Sequence, residues 1–348
     1  YGLIGEKLGH SYSKIIHEKI GDYSYTLREL KPSEVDAFMH EKAFKGINVT
    51  IPYKQTVIPY LDHVDESAQK IGAVNTVVNQ NGKLTGYNTD YIGLRKLILE
   101  AGHELKSKKV LILGSGGTAK TATAVAKDLG ATVILVSRNT GSEEAPALKI
   151  TYEDAYQNHR DADFIINTTP LGMFPNIDKC AIDPGKFEKL SGVIDVIYNP
   201  LRTKLMISCE ALGIRSDGGL KMLIYQALAA YERFTGKEAD ASLASSIEYG
   251  IRSDMQNIVL IGMPGSGKST IGQILAKKLQ KEFVDTDSLI VAKEGRSIPD
   301  IFSAEGEAYF RKVESDITRE LSLKTGMVVA TGGGLILDPQ NVTALKAY

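Results

Sequence analysis

The chain has 348 residues, of which 43% are apolar and 24% charged, and its formal net charge is -1. That length exceeds one ordinary core and suits two or three domains of a multidomain enzyme, and the near-neutral balance gives no electrostatic footprint for nucleic acid. Apolar stretches are short and broken by charges, which argues against a membrane span or a signal peptide and leaves a cytoplasmic location as the default; Cys180 and Cys209, without paired spacing or nearby His, read as ordinary thiols.

In chain order, Leu3-Ile4, Tyr23 to Leu27, Gly46 to Ile51, Thr76 to Val78 and Lys83 to Gly86 read as short strands between helical stretches, an α/β domain over residues 1–90. Helical periodicity runs from about Tyr91 to Ala101. Strand-like runs then follow at Val110 to Leu113, Thr132 to Val136, Phe164 to Asn167 and Val193 to Val196, with helices such as Thr118 to Leu129 between them. That is the βαβ alternation of a doubly wound sheet. An amphipathic helix over Gly218 to Thr235 carries Leu220, Leu223, Ile224, Ala227, Leu228 and Tyr231 on one stripe. The stretch 243–254 reads as a helix and linker, and a new domain opens near Met255. Both ends read as cut, because the chain starts at Tyr1 inside a strand pattern and stops at Tyr348 where another strand is due.

Two glycine loops carry most of the functional information. Gly114-Ser115-Gly116-Gly117-Thr118-Ala119 follows a strand pattern and opens a helix, the context in which backbone approaches a dinucleotide pyrophosphate at a helix N-terminus. A plain strand-to-helix turn is the alternative. After the next strand stands Ser137-Arg138-Asn139 in place of an acidic ribose ligand; Arg138 can pair with a 2′-phosphate, which favours NADP, unless it is only a solvated surface Arg. The second loop, Gly262 to Ser269, fits the phosphate-binding pattern G-x-x-x-x-G-K-[ST]. Gly265, Ser266, Gly267 and Thr270 would cradle ATP phosphates, Lys268 would reach the outer ones and Ser269 would bind Mg²⁺.

Residues 1 to about 240 resemble shikimate dehydrogenase. The likeness lies in Ser11-Tyr12-Ser13, Asn48 to Lys54, Gly72 to Thr76, Gly86 to Asp90, Asn167 to Pro170, Asp195 to Pro200 and Gly218-Gly219-Leu220 with Gln226, all in order. The resemblance implies a split substrate domain, residues 1–90 completed by helices from about 220–242, and a Rossmann-type NADP domain over 91–219. It makes Lys54 and Asp90 the catalytic pair, and Ser11, Ser13, Thr50, Asn75, Tyr198 and Gln226 substrate ligands. Thr168 and Gly219 join the glycine loop, Arg138 and Asn139 as cofactor ligands. Reduction of a ring ketone leaves a developing alkoxide, so a cation held beside that oxygen suits the chemistry, whether Lys54 gives the proton itself or orients water. A surface salt bridge is the plain alternative for the pair. The loop departs from many relatives at Thr118, Lys120 and Thr121.

From Met255 onward, the phosphate loop with Asp285-Thr286-Asp287, Glu305-Gly306-Glu307, Arg311 and Gly332-Gly333-Gly334 resembles shikimate kinase. The resemblance implies a P-loop αβα domain of which 255–348 is the N-terminal half. Ser269 and Asp285 would hold Mg²⁺, Asp287 the acceptor hydroxyl, and Arg311 with Gly332, Gly333 and Gly334 the substrate. Later segments that carry the lid and a second substrate Arg are not among these residues, so the stretch alone is not expected to be a competent kinase, and Ile258 to Ile261 should keep an open strand edge.

The combined expectation is a fusion that reduces 3-dehydroshikimate to shikimate with NADPH and phosphorylates shikimate with ATP and Mg²⁺, using small-molecule substrates, no nucleic acid and no membrane, with the oligomeric state left open. Its rivals are a dehydrogenase whose second half only binds nucleotide, and a chain with two active enzymes whose redox substrate is quinate with NAD. A nucleic-acid-dependent P-loop motor fits poorly with the absence of a basic face.

Overall fold

A computed structural model describes residues 1–9, 11–140 and 147–348. The chain forms two compact units, one of Tyr1–Thr169, Ala181–Tyr198 and Cys209–Glu248, the other of Pro170–Cys180, Asn199–Ser208 and Tyr249–Tyr348.

The first unit contains two six-stranded sheets. The first is built from β1 (Gly2–Gly5), β2 (Thr26–Glu29), β3 (Gly46–Val49), β4 (His63–Val64), β5 (Thr76–Gln80) and β6 (Lys83–Tyr87), in the order β2-β1-β3-β5-β6-β4. Both faces are buried, and the two-residue period of a strand divides the core between them. Ile4 and Val77 belong to one cluster with Val49, Tyr53 and Leu84, while Leu3 and Val78 belong to another with Tyr25 and Phe234. β1 and β3 are parallel, whereas β5 runs antiparallel to β3 and β6 antiparallel to β5. The C-terminal ends of β1, β3 and β6 and the N-terminal end of β5 therefore share one edge. The segments carrying Ser11, Thr50 with Lys54, Asn75 and Asp90 all leave the sheet there.

The second sheet is wholly parallel. Its strands are β7 (Lys109–Leu113), β8 (Thr132–Val136), β9 (Leu148–Ile150), β10 (Phe164–Asn167), β11 (Gly192–Asp195) and β12 (Arg215–Gly218), in the order β12-β11-β10-β7-β8-β9. The order reverses between β7 and β10, and ligands of doubly wound sheets bind outside the carboxyl ends of the strands at such a switch point. Small residues on the helix Gly117–Asp128 (Ala119, Ala122, Ala126) let it lie close on Val110 and Ile112.

Two helices close the substrate side of this unit, Thr89–Glu100 and Leu220–Thr235. They meet where a side-chain carbon on Gly93 would stand 2.5 Å from Met222 O and 3.0 Å from Gln226 N, so the close crossing requires glycine there. The sequence reading began the second helix at Gly218; instead Arg215–Gly218 is a polar edge strand and the helix starts at Leu220. The stretch 243–254 lies in the helix Leu243–Met255, whose Ala244, Ile247, Ile251 and Met255 are buried at helical spacing.

The second unit contains β13 (Ile258–Leu260), β14 (Glu282–Asp285) and β15 (Met327–Ala330), parallel and in the order β13-β15-β14. Among the described residues β13 has β15 as its one neighbour, the open edge expected from the sequence. Its core joins Val284, Ile290, Phe310, Val313, Ile317 and Val329. Among the described residues of the whole chain, no helix is long and apolar enough to cross a membrane.

Candidate functional site

At the shared edge of the first sheet, β3 runs into a turn with a cis Ile51-Pro52 bond, and that turn carries Lys54. Asp90 enters from the first turn of the helix Thr89–Glu100, capped by Asn88, whose side chain accepts the Tyr91 N–H. Lys54 Nζ donates to Asp90 Oδ2 at 2.5 Å, with only 14% and 11% of the two side chains exposed. The two expected catalytic residues are therefore brought together in a half-shielded ion pair, unlike the exposed pairs elsewhere in the chain such as Arg160 with Glu188.

Asn75 and Gln226 also converge. Asn75 Nδ2 lies 3.4 Å from Gln226 Oε1, and both residues are buried. Ser13 is buried as well, and its N–H donates to the Ser11 hydroxyl oxygen at 3.2 Å. Ser11 in turn hydrogen-bonds the Tyr198 side chain, whose phenol is pushed up to about 12 by burial, with the neighbouring Tyr12 adding to the shift. Thr50 lies at the end of β3, its N–H donating to Ile4 O at 2.9 Å. Sequence reading missed Asn48, Thr76 and Thr89, three buried polar residues behind this surface. The available signal was a polar residue inside the apolar strand Ile47-Asn48-Val49, which must find partners when buried.

The first glycine loop lies at the switch point of the parallel sheet. Gly114 has φ +117, and a side-chain carbon there would stand 2.7 Å from Thr168 Oγ1, so only glycine lets β7 and the loop after β10 approach this closely. Thr168 holds that approach by donating its hydroxyl to Leu113 O at 2.6 Å. Ser115 and Gly116 are exposed, Thr118 is half-buried, and Ala119 is buried in the helix that follows. Arg138 and Asn139 are exposed just after β8. Gly219 sits with its N–H on Ile197 O at 2.9 Å. A side-chain carbon on Gly117 would lie 3.6 Å from Lys54 Cδ, so the dinucleotide loop borders the Lys54 turn. The donor set fits a dinucleotide: a glycine-lined helix N-terminus with open space beside Gly116 and a guanidinium one strand away.

In the second unit, Gly265 (φ +74) and Gly267 (φ +83) shape the second loop before the helix Lys268–Leu279, which begins with Lys268, Ser269 and Thr270. Lys268 Nζ donates to Gly262 O at 2.9 Å and Met263 O at 2.8 Å, folding back over its own loop. The Ser269 hydroxyl donates to Asp285 Oδ2 at 2.6 Å, while Asp285 Oδ1 accepts the Asp287 and Ser288 N–H groups as the cap of the next helix. This loop with an adjoining hydroxyl and carboxylate fits a Mg²⁺-bound nucleoside triphosphate.

Asp287 and Arg311 both crowd the glycine run. Side-chain carbons on Gly332 and Gly334 would stand 2.6 Å from Asp287 Oδ1 and 2.5 Å from Arg311 Nη1, while Gly333 borders Pro264. Burial, and then the charge of Asp285, raises Asp287 above the usual carboxylate range. Arg311 is gripped by Glu314 at 2.9 Å and Glu307 at 3.2 Å. Glu314 is buried and raised by that burial. Sequence reading gave Glu314 no role of its own, though its spacing of three from Arg311 on a helix signals a pair.

Comparison with known proteins gives this arrangement its relatives. Residues 3–77 match the shikimate dehydrogenase substrate-binding domain and 219–243 the shikimate 5′-dehydrogenase C-terminal domain, while 88–173 match the NAD-binding domain of D-isomer-specific 2-hydroxyacid dehydrogenases. The NADP⁺ shikimate dehydrogenase of Caldicellulosiruptor bescii is 38% identical over 252 residues, which is 66% of this chain and 86% of that protein. The chain belongs to the shikimate dehydrogenase family. Among solved structures, shikimate dehydrogenase 1 of Peptoclostridium difficile superposes with a TM-score of 0.68 at 31% identity, over 72% of this chain and 97% of that one. The Thermus thermophilus shikimate dehydrogenase, solved with NADP(H) and shikimate, has a TM-score of 0.65 at 28% identity and likewise covers 72% and 97%. Residues 264–348 match the shikimate kinase family model, so one polypeptide joins shikimate dehydrogenase and shikimate kinase sequences.

Proposed function

We propose that the first unit reduces 3-dehydroshikimate to shikimate reversibly with NADPH, and that the kinase-like region serves the ATP-dependent 3-phosphorylation of shikimate. The observation that carries the first reading is the shielded Lys54–Asp90 pair beside the Gly117 loop, at the edge where Ser11, Ser13, Thr50, Asn75, Tyr198 and Gln226 gather.

The nicotinamide cofactor supplies the hydride. The chain's own residues manage the oxygen that receives it. Lys54 Nζ stands beside the ketone oxygen, stabilises the developing negative charge and provides its proton directly or through water. Asp90 keeps that ammonium in place and accepts a substrate hydroxyl with its other oxygen. Ser11 and Ser13 donate to the substrate carboxylate, Thr50, Asn75, Tyr198 and Gln226 hold the ring hydroxyls, and Arg138 with Asn139 selects the 2′-phosphate of NADP.

For the kinase-like region, Mg²⁺-ATP supplies the phosphoryl group, held by the loop from Gly265 to Thr270 with Ser269 and Asp285. Asp287 holds the acceptor hydroxyl and takes its proton, while Arg311, pre-set by Glu314 and Glu307, clamps the carboxylate alongside Gly332, Gly333 and Gly334. The product of one site is then the substrate of the other.

The test is shikimate-dependent NADP⁺ reduction and shikimate-dependent ADP formation by the complete gene product, beside Lys54→Ala and Asp287→Ala. Loss of only the first activity in Lys54→Ala and only the second in Asp287→Ala is expected. A wild type with the redox activity but no ADP formation would reduce the second region to a nucleotide-binding module; one using quinate with NAD in preference would overturn the substrate and cofactor assignment.

A further inference from the structure

Asn75 and Gln226 are amides, whose carbonyl and amino ends are nearly the same shape, so their usefulness to a ligand depends on which end is turned inward. In this chain one residue bonds to both. Asn75 Oδ1 accepts the Thr89 backbone N–H at 2.6 Å, and since that group can only donate, the Asn75 carbonyl is fixed on the Thr89 side. Asn75 Nδ2 then donates to the Thr89 hydroxyl oxygen at 3.0 Å.

The hydroxyl has further partners. Asn48 Nδ2 donates to the Thr76 hydroxyl oxygen at 3.0 Å, and the Thr76 hydroxyl lies 3.0 Å from the Thr89 hydroxyl and 3.2 Å from Asn75 Oδ1. The Thr89 hydroxyl lies 3.2 Å from Asn75 Oδ1 and 3.5 Å from Gln226 Oε1, while Gln226 Nε2 donates to Leu223 O at 2.9 Å. Asn48, Thr76, Asn75 and Gln226 thus form one buried polar network with the Thr89 hydroxyl at its centre. Thr89 is 1% exposed and adjoins Asp90, so the same contacts fix the start of the helix that presents the carboxylate.

We infer that Thr89 is a positioning residue for the dehydrogenase reaction, its hydroxyl bridging the Asn75 and Gln226 amides and holding them in place without touching the substrate. This rests on the dehydrogenase reading above. Valine has the shape of threonine but no hydroxyl, so it should leave Asn75 Nδ2 only its 3.4 Å contact with Gln226 Oε1, shift the Thr76 proton onto Asn75 Oδ1 and loosen both amides.

The experiment compares Thr89→Val, Thr89→Ser and Thr89→Ala in the full chain, measuring KM for shikimate, KM for NADP⁺, kcat and thermal unfolding. The expected result is a KM for shikimate raised about tenfold or more in Thr89→Val and Thr89→Ala, equivalent to about 1.4 kcal/mol, with KM for NADP⁺ within twofold and Thr89→Ser near wild type. Should Thr89→Val fail to fold, the Ser and Ala pair isolates the hydroxyl alone. Unchanged shikimate kinetics in the hydroxyl-free variants, or equal damage in Thr89→Ser, would overturn the inference, the latter by assigning the effect to the methyl group. Wild-type protein lacking shikimate turnover would instead overturn the functional reading, and the inference with it.

Discussion

Asn88 Nδ2 donates to the Thr121 hydroxyl oxygen at 3.2 Å, and Thr121 donates in turn to Gly117 O at 3.1 Å. Asn88 also donates to Ala73 O at 2.9 Å, so a single amide ties the substrate-side edge to the first turn of the dinucleotide helix. Thr121 is one of the loop's departures from many relatives, and here it is buried and used.

Thr121→Val should therefore cost stability by about 1–2 kcal/mol, because it leaves a buried Asn88 donor unpaired while conserving volume. Chemical denaturation checks it; a midpoint equal to wild type would show that the link carries no energy. Thr121→Ser should recover most of the loss.

Lys54→Met should lower kcat for shikimate oxidation by about 10²–10⁴-fold, the range expected when a positioned acid or base is removed. Affinity for NADP⁺, read by fluorescence titration, should stay within twofold, since the dinucleotide loop keeps its backbone. A variant retaining a tenth of wild-type kcat would remove Lys54 from the proton path.

Arg138→Ala should raise KM for NADP⁺ about tenfold to a hundredfold, as one charged hydrogen-bonding partner of a phosphate is lost, and leave KM for NAD⁺ unchanged. Equal effects on both cofactors would mean that Arg138 acts on something other than the 2′-phosphate.

His17 gives a pH dependence of known sign. It is fully buried, stacks on Tyr25 with ring centroids 4.1 Å apart, and hydrogen-bonds the Tyr23 hydroxyl at 2.7 Å. Burial lowers it from 6.5 to about 3, with Asn48 opposing and the N-terminal charge reinforcing the shift. Between those two values only the unfolded chain takes up a proton at this residue. Stability from this source is full above pH 6.5 and falls as pH drops toward 3, by up to about 1.4 kcal/mol per pH unit. His17→Phe, which keeps the stacking, should flatten that slope in acid denaturation; an unchanged slope would point to other groups.

Gly334→Ala should weaken shikimate binding in the kinase-like region about tenfold while ATP-analogue binding persists, since the added carbon would stand 2.5 Å from Arg311 Nη1 and push the guanidinium aside. The KM for shikimate in ADP formation by the complete gene product reads this site, and isothermal titration with the ATP analogue reads the nucleotide loop.

Much of this was legible in the sequence because glycine loops and buried parallel strands have strong local signatures. The runs Val110 to Leu113 and Thr132 to Val136 are continuously apolar, as a strand covered on both faces must be, and they form β7 and β8. His63–Val64, Leu148–Ile150 and Arg215–Gly218 escaped notice because they are short or polar edge strands, defined by their neighbour's register rather than by their own composition. The site was legible where motifs carried it, as for Lys54 and Asp90. What stayed hidden was the lattice behind it. Thr89 looks like any helix-start threonine until Asn75 and Gln226 are folded against it, and Glu314 like any helix-face charge until Arg311 covers it.

The crossing at Gly93 also orders events in time. The helix that packs there, Leu220–Thr235, supplies Gln226, which lies 137 residues beyond Thr89 along the chain. A ribosome releases Ser11, Lys54, Asn75 and Asp90 well before that helix, with the whole parallel sheet in between. The core of the parallel sheet takes Met222 from this helix and the core of the first sheet takes Phe234, so both wait with an uncovered face until the later segment returns to them. The last piece of the substrate pocket to be synthesised is thus also the lid on the hydrophobic core beneath it, and a nascent chain stalled before Thr235 would expose that face to chaperones.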